Sequence, residues 1–336
     1  MSQILSFLPK FIYGQLFITP PAPTKDCAGK TVIVTGSNTG LGLEAARHFV
    51  QLNAAKVILA CRNLEKGEAA EKDIESTTGR KGVVEVWQLD LTSYESVKAF
   101  AKKSQSLERL DILLENAGIA PPNFKLEEGS ESTITVNVIS TFLLALLMVP
   151  KLQETAKKHN TVPNLCIVSS EAHFFTAFPE RNSSSIFDKL NDRSSARMTD
   201  RYNLSKLLEV FACREIAQDH PVSQFGVTIT SVNPGLCHSE LIRPEAPAVV
   251  RAFMTVMKAV LARTTEVGAR TLVDASLRGQ EDHGAFLSDC KVTEVAKLVT
   301  DEPETQTRVW RELAAKLEQI EPGVTKNLER GVSAKL

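Results

Sequence analysis

The sequence predicts an α/β fold, a single doubly wound parallel sheet with helices on both faces. Short apolar runs rich in β-branched residues alternate with longer segments of helical pattern along most of the 336-residue chain. The runs are continuously apolar, which is typical of parallel strands buried on both faces. Right-handed crossovers through the helices then give the doubly wound arrangement.

The predicted elements follow in a regular order, and each apolar run predicts a strand because turn residues bound it. We expect strands at 31–35 (TVIVT), 56–61 (KVILAC), 83–89, 111–115, 165–170 and 227–232. We expect helices at 41–52, 64–77, 93–107, 130–157, 202–219 and, as an amphipathic C-terminal segment, 304–319. Pro150 is expected to bend the long fourth helix.

Composition narrows the class of protein. The formal net charge is −1, so no basic excess indicates a nucleic-acid partner. None of the six cysteines forms a CxxC pair, which favours reduced thiols in a cytoplasmic protein. No group of His, Cys and carboxylate residues has metal-ligand spacing, so we expect no metal.

The N-terminal segment 4–18 is mostly apolar, with Pro9 and Lys10 in its middle. It has no basic start and no small-residue cleavage site, so we expect no secretory signal. It is also shorter than the ~20 residues that span a bilayer. Two interpretations stay open: the segment packs on the folded domain, or it lies on a membrane surface.

The first predicted strand runs into a glycine-rich turn, T-G-S-N-T-G-L-G, and a helix must follow at once. Small residues let the backbone approach a pyrophosphate, and the helix N-terminus supplies free N–H groups and positive potential. The position between first strand and first helix predicts a dinucleotide site. The loop residues assigned to it are Gly36, Ser37, Asn38, Thr39, Gly40, Leu41 and Gly42.

The second strand ends at Arg62, 20 residues after Gly42. A carboxylate there would accept the ribose hydroxyls of NAD, whereas an arginine can form paired hydrogen bonds to a 2′-phosphate. Lys66 adds a second positive charge. The sequence therefore predicts NADP(H) as the cofactor.

Tyr202 and Lys206 stand four residues apart on a predicted helix and so lie on one face. A free tyrosine has a pKa of about 10, and a nearby ammonium group lowers it. The pair is therefore a candidate for moving a proton to or from a reacting oxygen.

The spacing T-G-x-x-x-G-x-G, with the Tyr–Lys pair after a strand that ends in two serines, resembles the short-chain dehydrogenase/reductase family. The resemblance covers residues 29–290. It implies a Rossmann-type fold and Ser170, Tyr202, Lys206 and Asn137 as catalytic residues, Asn137 holding a water for proton relay. Ser170 is preferred as the substrate-binding serine, and Ser169 is the alternative.

The resemblance also implies further cofactor contacts. Those beyond the glycine-rich loop and the basic pair are Asp90, Leu91, Asn116, Ala117, Gly118, Tyr202, Lys206, Pro234, Gly235, Cys237 and Ser239. The chain departs from the family pattern at Glu115, where the family often has Asn, and we expect this to affect stability more than chemistry. His238 is a weaker candidate acid, because a loop histidine is more often solvated.

We divide the chain into an N-terminal extension (1–28), a Rossmann-type catalytic domain (29–300) and a C-terminal helix with a tail (301–336). The domain contains a substrate loop at 171–201 and a segment at 240–263 that is either a cap or an ordinary helix. Glu171 and His173 are expected at the substrate mouth.

The long insert between Ser170 and Tyr202 resembles that of the retinol-dehydrogenase-like branch of the family. The sequence as a whole resembles fungal members that serve secondary-metabolite pathways. This implies an oxidoreductase for a bulky apolar carbonyl or alcohol. The alternatives are an NADP-binding sensor or scaffold without turnover, and a membrane-associated retinoid or steroid dehydrogenase. The apolar stretch 143–149 is either core or a homodimer interface.

Overall fold

Eight strands form one sheet in the computed structural model, which describes residues 2–238, 255 and 257–329. They are β1 Thr31–Thr35, β2 Lys56–Cys61, β3 Val84–Gln88, β4 Ile112–Glu115, β5 Asn164–Val168, β6 Thr228–Asn233, β7 Phe286–Ser288 and β8 Lys291–Val292. The order is β8-β7-β6-β5-β4-β1-β2-β3, parallel except for β8. The doubly wound prediction is confirmed, with β7 and β8 added at one edge.

The main helices are α1 Ser2–Phe17, α2 Gly40–Gln51, α3 Leu64–Thr78, α4 Tyr94–Ser104, α5 Ser132–His159, α6 Met198–Asp219, α7 Thr265–Ala275 and α8 Pro303–Ile320. Short helices lie at Ile186–Leu190, Val222–Phe225, Lys297–Asp301 and Lys326–Glu329. Single 3₁₀ turns lie at Glu171–Phe175, Pro179–Asn182, Arg193–Ser195 and Gln280–Asp282, and a small hairpin pairs Leu126–Glu127 with Ser130–Glu131. The predicted substrate loop is thus built of short helical turns.

The two faces of the sheet carry separate cores, because successive strand residues point to opposite faces. On one face Leu113 lies in a cluster with Phe142 of α5 and residues of α4, α6 and α8. On the other face Leu114 lies with Phe49 of α2 and Leu272 of α7. Helices on both faces leave the carboxyl ends of the parallel strands as the place for a ligand.

Helix α5 crosses the first core, and its stretch 143–149 is buried within the protomer except for the partly buried Leu147. Of the described helices, α5 alone is long and apolar enough to cross a membrane, but 94% of its most apolar window is buried inside the protein. Pro150 lies inside this helix. A π-helical segment, Thr135–Ser140, interrupts its first turns and was not predicted.

The N-terminal helix α1 packs on the domain. The ring of Phe7 lies 4.8 Å from that of Phe174, and the Arg263 guanidinium donates to the carbonyl oxygens of Gly14 and Ile18 at 2.7 and 3.0 Å. The first of the two interpretations of this segment is therefore the arrangement that the structure has.

The C-terminal helix α8 matches the predicted 304–319. Val309, Leu313 and Leu317 are fully buried in the same core as α5 and α6. This helix therefore belongs to the main core. Most of the segment 240–263, assigned as a cap or an ordinary helix, lies outside the described residues, as does Ser239.

Candidate active site

The glycine-rich loop leaves β1 and enters α2 with backbone conformations that favour glycine. Gly36 has φ +64°, and a Cβ there would lie 2.9 Å from the Cα atom of Ala117. The Thr39 side chain makes no capping bond to the start of α2, and among the described residues no atom lies within 4 Å of a Cβ built at Gly40. The start of α2 therefore has uncapped N–H groups and free space beside Gly40, which suits a phosphate.

Two predicted cofactor residues shape this loop from within the protein. The Asn116 amide donates to the carbonyl oxygens of Thr35 and Gly36 at 2.9 and 3.2 Å. A Cβ at Gly42 would lie 2.5 Å from that amide nitrogen. Asn116 and Gly42 therefore fix the path of the loop.

Ser37 and Thr35 are turned inward. The buried Ser37 hydroxyl donates to the carbonyl oxygen of Val34 at 2.8 Å, so its side chain does not point to a ligand. The Thr35 hydroxyl accepts from the backbone N–H groups of Asn116 and Ala117, at 3.0 Å each. Thr35 joins the ends of β1 and β4, a role missing from the predicted set.

The ends of β3 and β2 lie next in the sheet. The Asp90 carboxylate accepts from the backbone and hydroxyl of Thr92 at 2.9 and 2.8 Å, which fixes its position. Leu91 is buried beside α5. Arg62 and Lys66 are exposed, and within the described part of the chain the Arg62 guanidinium has no partner. A free cation at this end of β2 suits a phosphate group.

Tyr202 and Lys206 lie on one face of α6, with the Lys206 nitrogen 5.6 Å from the centre of the tyrosine ring. That nitrogen donates to the Val168 carbonyl oxygen and to the Glu209 carboxylate, at 2.8 Å each. A Cβ at Gly118 would lie 3.7 Å from it. The end of β4 and the Tyr–Lys pair therefore share one site, as the sequence predicts.

The two candidate serines have different roles. Ser169 is buried and its hydroxyl donates to the Lys206 carbonyl oxygen at 2.9 Å. Ser170 caps the turn Glu171–Phe175 by accepting from the Ala172 N–H at 3.1 Å, and its hydroxyl also lies beside Tyr202. This geometry favours Ser170 as the serine that meets a ligand.

The Tyr202 side chain is only partly exposed to solvent. Burial raises the pKa of its phenol, the positive charge of Lys206 opposes this, and the negative charge of Glu209 adds to it. For Lys206, burial alone would lower the pKa, but Glu209 and Tyr202 more than offset that effect and leave it raised. Near neutral pH the site therefore holds a phenol and an ammonium group.

Asn137 lies in the π segment of α5. Its side-chain oxygen accepts from the Ile119 N–H at 2.8 Å, and its nitrogen donates to the Ile119 carbonyl and the Ser205 hydroxyl, at 3.0 Å each. Both ends of the amide are thus used to join α5 to the end of β4 and to α6. The π turn sets the side chain at this junction.

The loop after β6 carries the predicted nicotinamide contacts. Burial raises the pKa of the Cys237 thiol to about 12, and its sulfur lies 3.5 Å from the Pro234 carbonyl oxygen. A Cβ at Gly268 would overlap this sulfur. Cys237 can therefore offer a ligand only its backbone. The His238 side chain is exposed.

The structure separates the two residues expected at the substrate mouth. His173 is fully buried, bonded through Nδ1 to the Ser170 carbonyl and through Nε2 to the Ala296 N–H, and burial lowers its pKa to about 4. The expectation for His173 is wrong, because both ring nitrogens serve internal bonds. Glu171 lines a cavity of about 760 Å³ together with Phe7 and Phe174. No potential metal-binding group occurs among the described residues.

Sequence comparison finds related proteins over nearly the whole chain. A family model described as short chain dehydrogenase matches residues 30–176. The short chain dehydrogenase/reductase dmxR8 of Cryptosporiopsis sp. is 50% identical, covering 94% of this chain and 99% of the relative. The short chain dehydrogenase atnD of Emericella nidulans is 46% identical, covering 84% and 91%.

Solved structures share the fold. An NADPH-bound carbonyl reductase from chicken fatty liver aligns with a TM-score of 0.56 at 21% identity, over 81% of this chain and 100% of that one. A complex of Pseudomonas aeruginosa RhlG with NADP aligns with a TM-score of 0.58 at 20% identity, over 78% and 95%.

Proposed function

Because the chain belongs to the short-chain dehydrogenase/reductase family of oxidoreductases, we propose that it transfers a hydride between NADP(H) and a bulky carbonyl or alcohol. The observation that carries this proposal is the juxtaposition of Tyr202, Lys206 and Ser170 at the carboxyl end of the sheet. Tyr202 can carry a proton, the Lys206 cation adjusts the pKa of Tyr202, and the Ser170 hydroxyl can hold the reacting oxygen.

The nicotinamide, when bound, supplies or accepts the hydride. The protein has to place the substrate oxygen and move one proton. In our proposal, the Ser170 hydroxyl donates to that oxygen and orients it toward Tyr202. In the direction of reduction, the Tyr202 phenol gives its proton to the oxygen as negative charge develops there. Lys206 then stabilises the phenolate.

The preference for NADP(H) is supported by charge. Arg62 and Lys66 are exposed beside the end of β2, and no carboxylate ends that strand. The Arg62 guanidinium, which has no partner among the described residues, can take a 2′-phosphate. The open start of α2 fits the pyrophosphate. Two structural neighbours, the NADPH-bound carbonyl reductase and RhlG in complex with NADP, are consistent with this choice.

A bulky, apolar substrate is supported by the long segment between Ser170 and Tyr202, which carries Phe174 and the half-exposed Phe175. We propose secondary-metabolite biosynthesis as the pathway class, because the chain is similar to short-chain dehydrogenases from several fungi. The retinol-dehydrogenase-like branch and a homodimer stay predictions, as does membrane contact through the exposed Tyr13 and Phe17 of α1.

The test is NADPH consumption by the purified protein across a panel of bulky ketones and aldehydes, with Tyr202→Phe as the control. Turnover that the substitution abolishes supports the proposal. Tight NADPH binding without turnover on any carbonyl favours the sensor or scaffold instead. The retention of Asn137, Ser170, Tyr202 and Lys206 together argues against that alternative.

A further inference from the structure

Two glutamates are buried behind Lys206, in a part of the core that the proposed reaction does not use. Glu115 is the last residue of β4, and Glu209 lies on α6 one turn after Lys206; each is 2% exposed. Glu115 pairs in register with Ile167 of β5, so it lies inside the sheet. Leu113, two residues earlier and hence on the same strand face, belongs to the core that contains α6.

The two carboxyl groups differ in the partners that they have among the described residues. One oxygen of Glu209 accepts from Lys206 at 2.8 Å, and the Ser169 hydroxyl lies within reach of the same carboxyl group. Both oxygens of Glu115 are buried without a hydrogen-bond partner among the described residues. Leaving a Glu115 carboxylate in this state would carry a large desolvation cost, which protonation removes.

Among the described residues, the surroundings of the two glutamates offer a single positive charge. The groups that face them are Lys206, Tyr202 and Cys213 from α6, Cys166 of β5, Ser169 directly after β5, and Asn137 of α5 beyond Lys206. Of these, only Lys206 is a cation. Burial raises the pKa of Glu115 well above its usual range and that of Glu209 to about 7, and the charge of Glu209 adds to the effect on Glu115.

We propose that Glu209 holds one negative charge against Lys206 and thereby sets how readily Tyr202 releases its proton, while the unpaired Glu115 stays protonated. Glu209 carries its charge in the bond to Lys206. Glu209 is a positioning residue, because it acts on Tyr202 through Lys206. The assignment of Tyr202 as the proton carrier rests on the proposed function.

The negative charge of Glu209 affects the ionisation of Tyr202. A bare ammonium group beside Tyr202 would favour the phenolate, whereas the Glu209 charge cancels part of that influence. Tyr202 therefore keeps its proton to higher pH, which is the state that carbonyl reduction requires. Glu115, at a position where the family often has Asn, adds no charge to the site in this arrangement.

The test compares Glu209→Gln and Glu115→Gln, each close in shape to the protonated acid. The pH midpoint of Tyr202 ionisation is read from tyrosinate absorbance, with the Tyr202→Phe protein subtracted; the chain has only three tyrosines. Glu215→Gln is the matched control, since Glu215 is also buried on α6 but bonds to Gln306.

We expect Glu209→Gln to lower the midpoint by about one pH unit, an effect of the size of a typical charge interaction. Glu115→Gln and the control should leave it in place. A midpoint that Glu209→Gln does not move, or that Glu115→Gln moves equally far, overturns the proposal.

A second measurement does not depend on a variant of Glu209. Infrared spectra of the wild-type protein at pH 8 should show the C=O band of a buried, protonated carboxyl group, and Glu115→Gln should remove it. Absence of the band in the wild-type protein, or its survival in Glu115→Gln, contradicts the assignment. Neither readout uses turnover. A protein without turnover could therefore still show the expected charge on Glu209 and proton on Glu115, so the two proposals can fail independently.

Discussion

The side-chain nitrogen of Gln15 lies 2.9 Å from the carbonyl oxygen of Leu236, to which it donates a hydrogen bond. The same nitrogen donates to the Leu261 carbonyl oxygen at 3.0 Å. A Cβ at Gly235 would lie 2.6 Å from the Gln15 side-chain oxygen. The N-terminal helix is thus bonded directly to the loop that is predicted to meet the nicotinamide.

Replacing Gln15 with Ala should weaken both the fold and cofactor binding. Two carbonyl groups lose a donor, which costs about 1–3 kcal/mol where they stay buried. Urea unfolding should show this loss of stability, and an NADPH titration should show weaker binding. Gln51→Ala, at an exposed position on α2, is the control. Equal behaviour of the two variants would mean that α1 does not hold this loop.

Arg62→Ala should reduce the preference for NADPH over NADH. A hydrogen bond to a charged group contributes about 1.5–3 kcal/mol, so NADPH affinity should fall roughly 10- to 100-fold while NADH affinity changes little. The measurement is kcat/KM or Kd with each cofactor. Lys72→Ala, at an exposed position on α3, is the control and should change neither the NADPH nor the NADH affinity. Parallel losses for both cofactors would show that Arg62 does not read the 2′-phosphate.

Tyr202→Phe should lower turnover by about 10²- to 10⁴-fold, the usual contribution of a positioned proton donor. NADPH affinity should stay within a few-fold of the wild-type value, because the ring and Lys206 are retained. Stopped-flow hydride transfer and a fluorescence titration of NADPH measure the two effects. Tyr13→Phe, on the exposed side of α1, is the matched control. A variant with full activity would be incompatible with the assigned role.

Glu171 should make the protein less stable as the pH rises from about 4.5 to 7. Burial, and then the charge of Asp289, raise its pKa to about 7 from the ordinary 4.5. Between these values the folded state binds more protons than the unfolded state, so the free energy of unfolding falls with rising pH and levels off above 7.

The corresponding test is Glu171→Gln, measured by denaturation at pH 4.5 and pH 8. The variant should gain stability over the wild-type protein at pH 8, on the order of 2 kcal/mol after allowance for its partial exposure, and gain little at pH 4.5. Glu294→Gln, an exposed residue of the same cavity, is the control. A gain of equal size at both pH values would count against titration of Glu171.

The sheet was predictable because its strands are short, continuously apolar and followed by helices. The site was predictable where a motif fixes spacing along one element, as for Tyr202 and Lys206 on α6. The inward turn of the Ser37 hydroxyl was not predictable, because the sequence gives no sign of which face of the loop a side chain takes.

Contacts between elements that are distant in the chain could not be predicted from the sequence either. Glu115 and Glu209 are 94 residues apart, and nothing in their local context shows that both carboxyl groups are buried. His173 looks like a site residue, since it follows Ser170 closely, yet its ring bonds to Ala296 across the fold. The π segment that places Asn137, TVNVIS, contains neither glycine nor proline, so no helix-breaking residue in the sequence marks it.

The anchoring of α1 also has a consequence for synthesis on the ribosome. Arg263, which binds Gly14, follows it by 249 residues, so α1 emerges long before its docking surface exists. At about 5–20 residues per second, this interval lasts roughly 10–50 s. Phe174 follows Phe7 by 167 residues, so for about the first two-thirds of that time Phe7 has neither Phe174 nor Phe175 to pack against. We therefore expect α1 to dock onto the domain late, after the residues that bind it have been made.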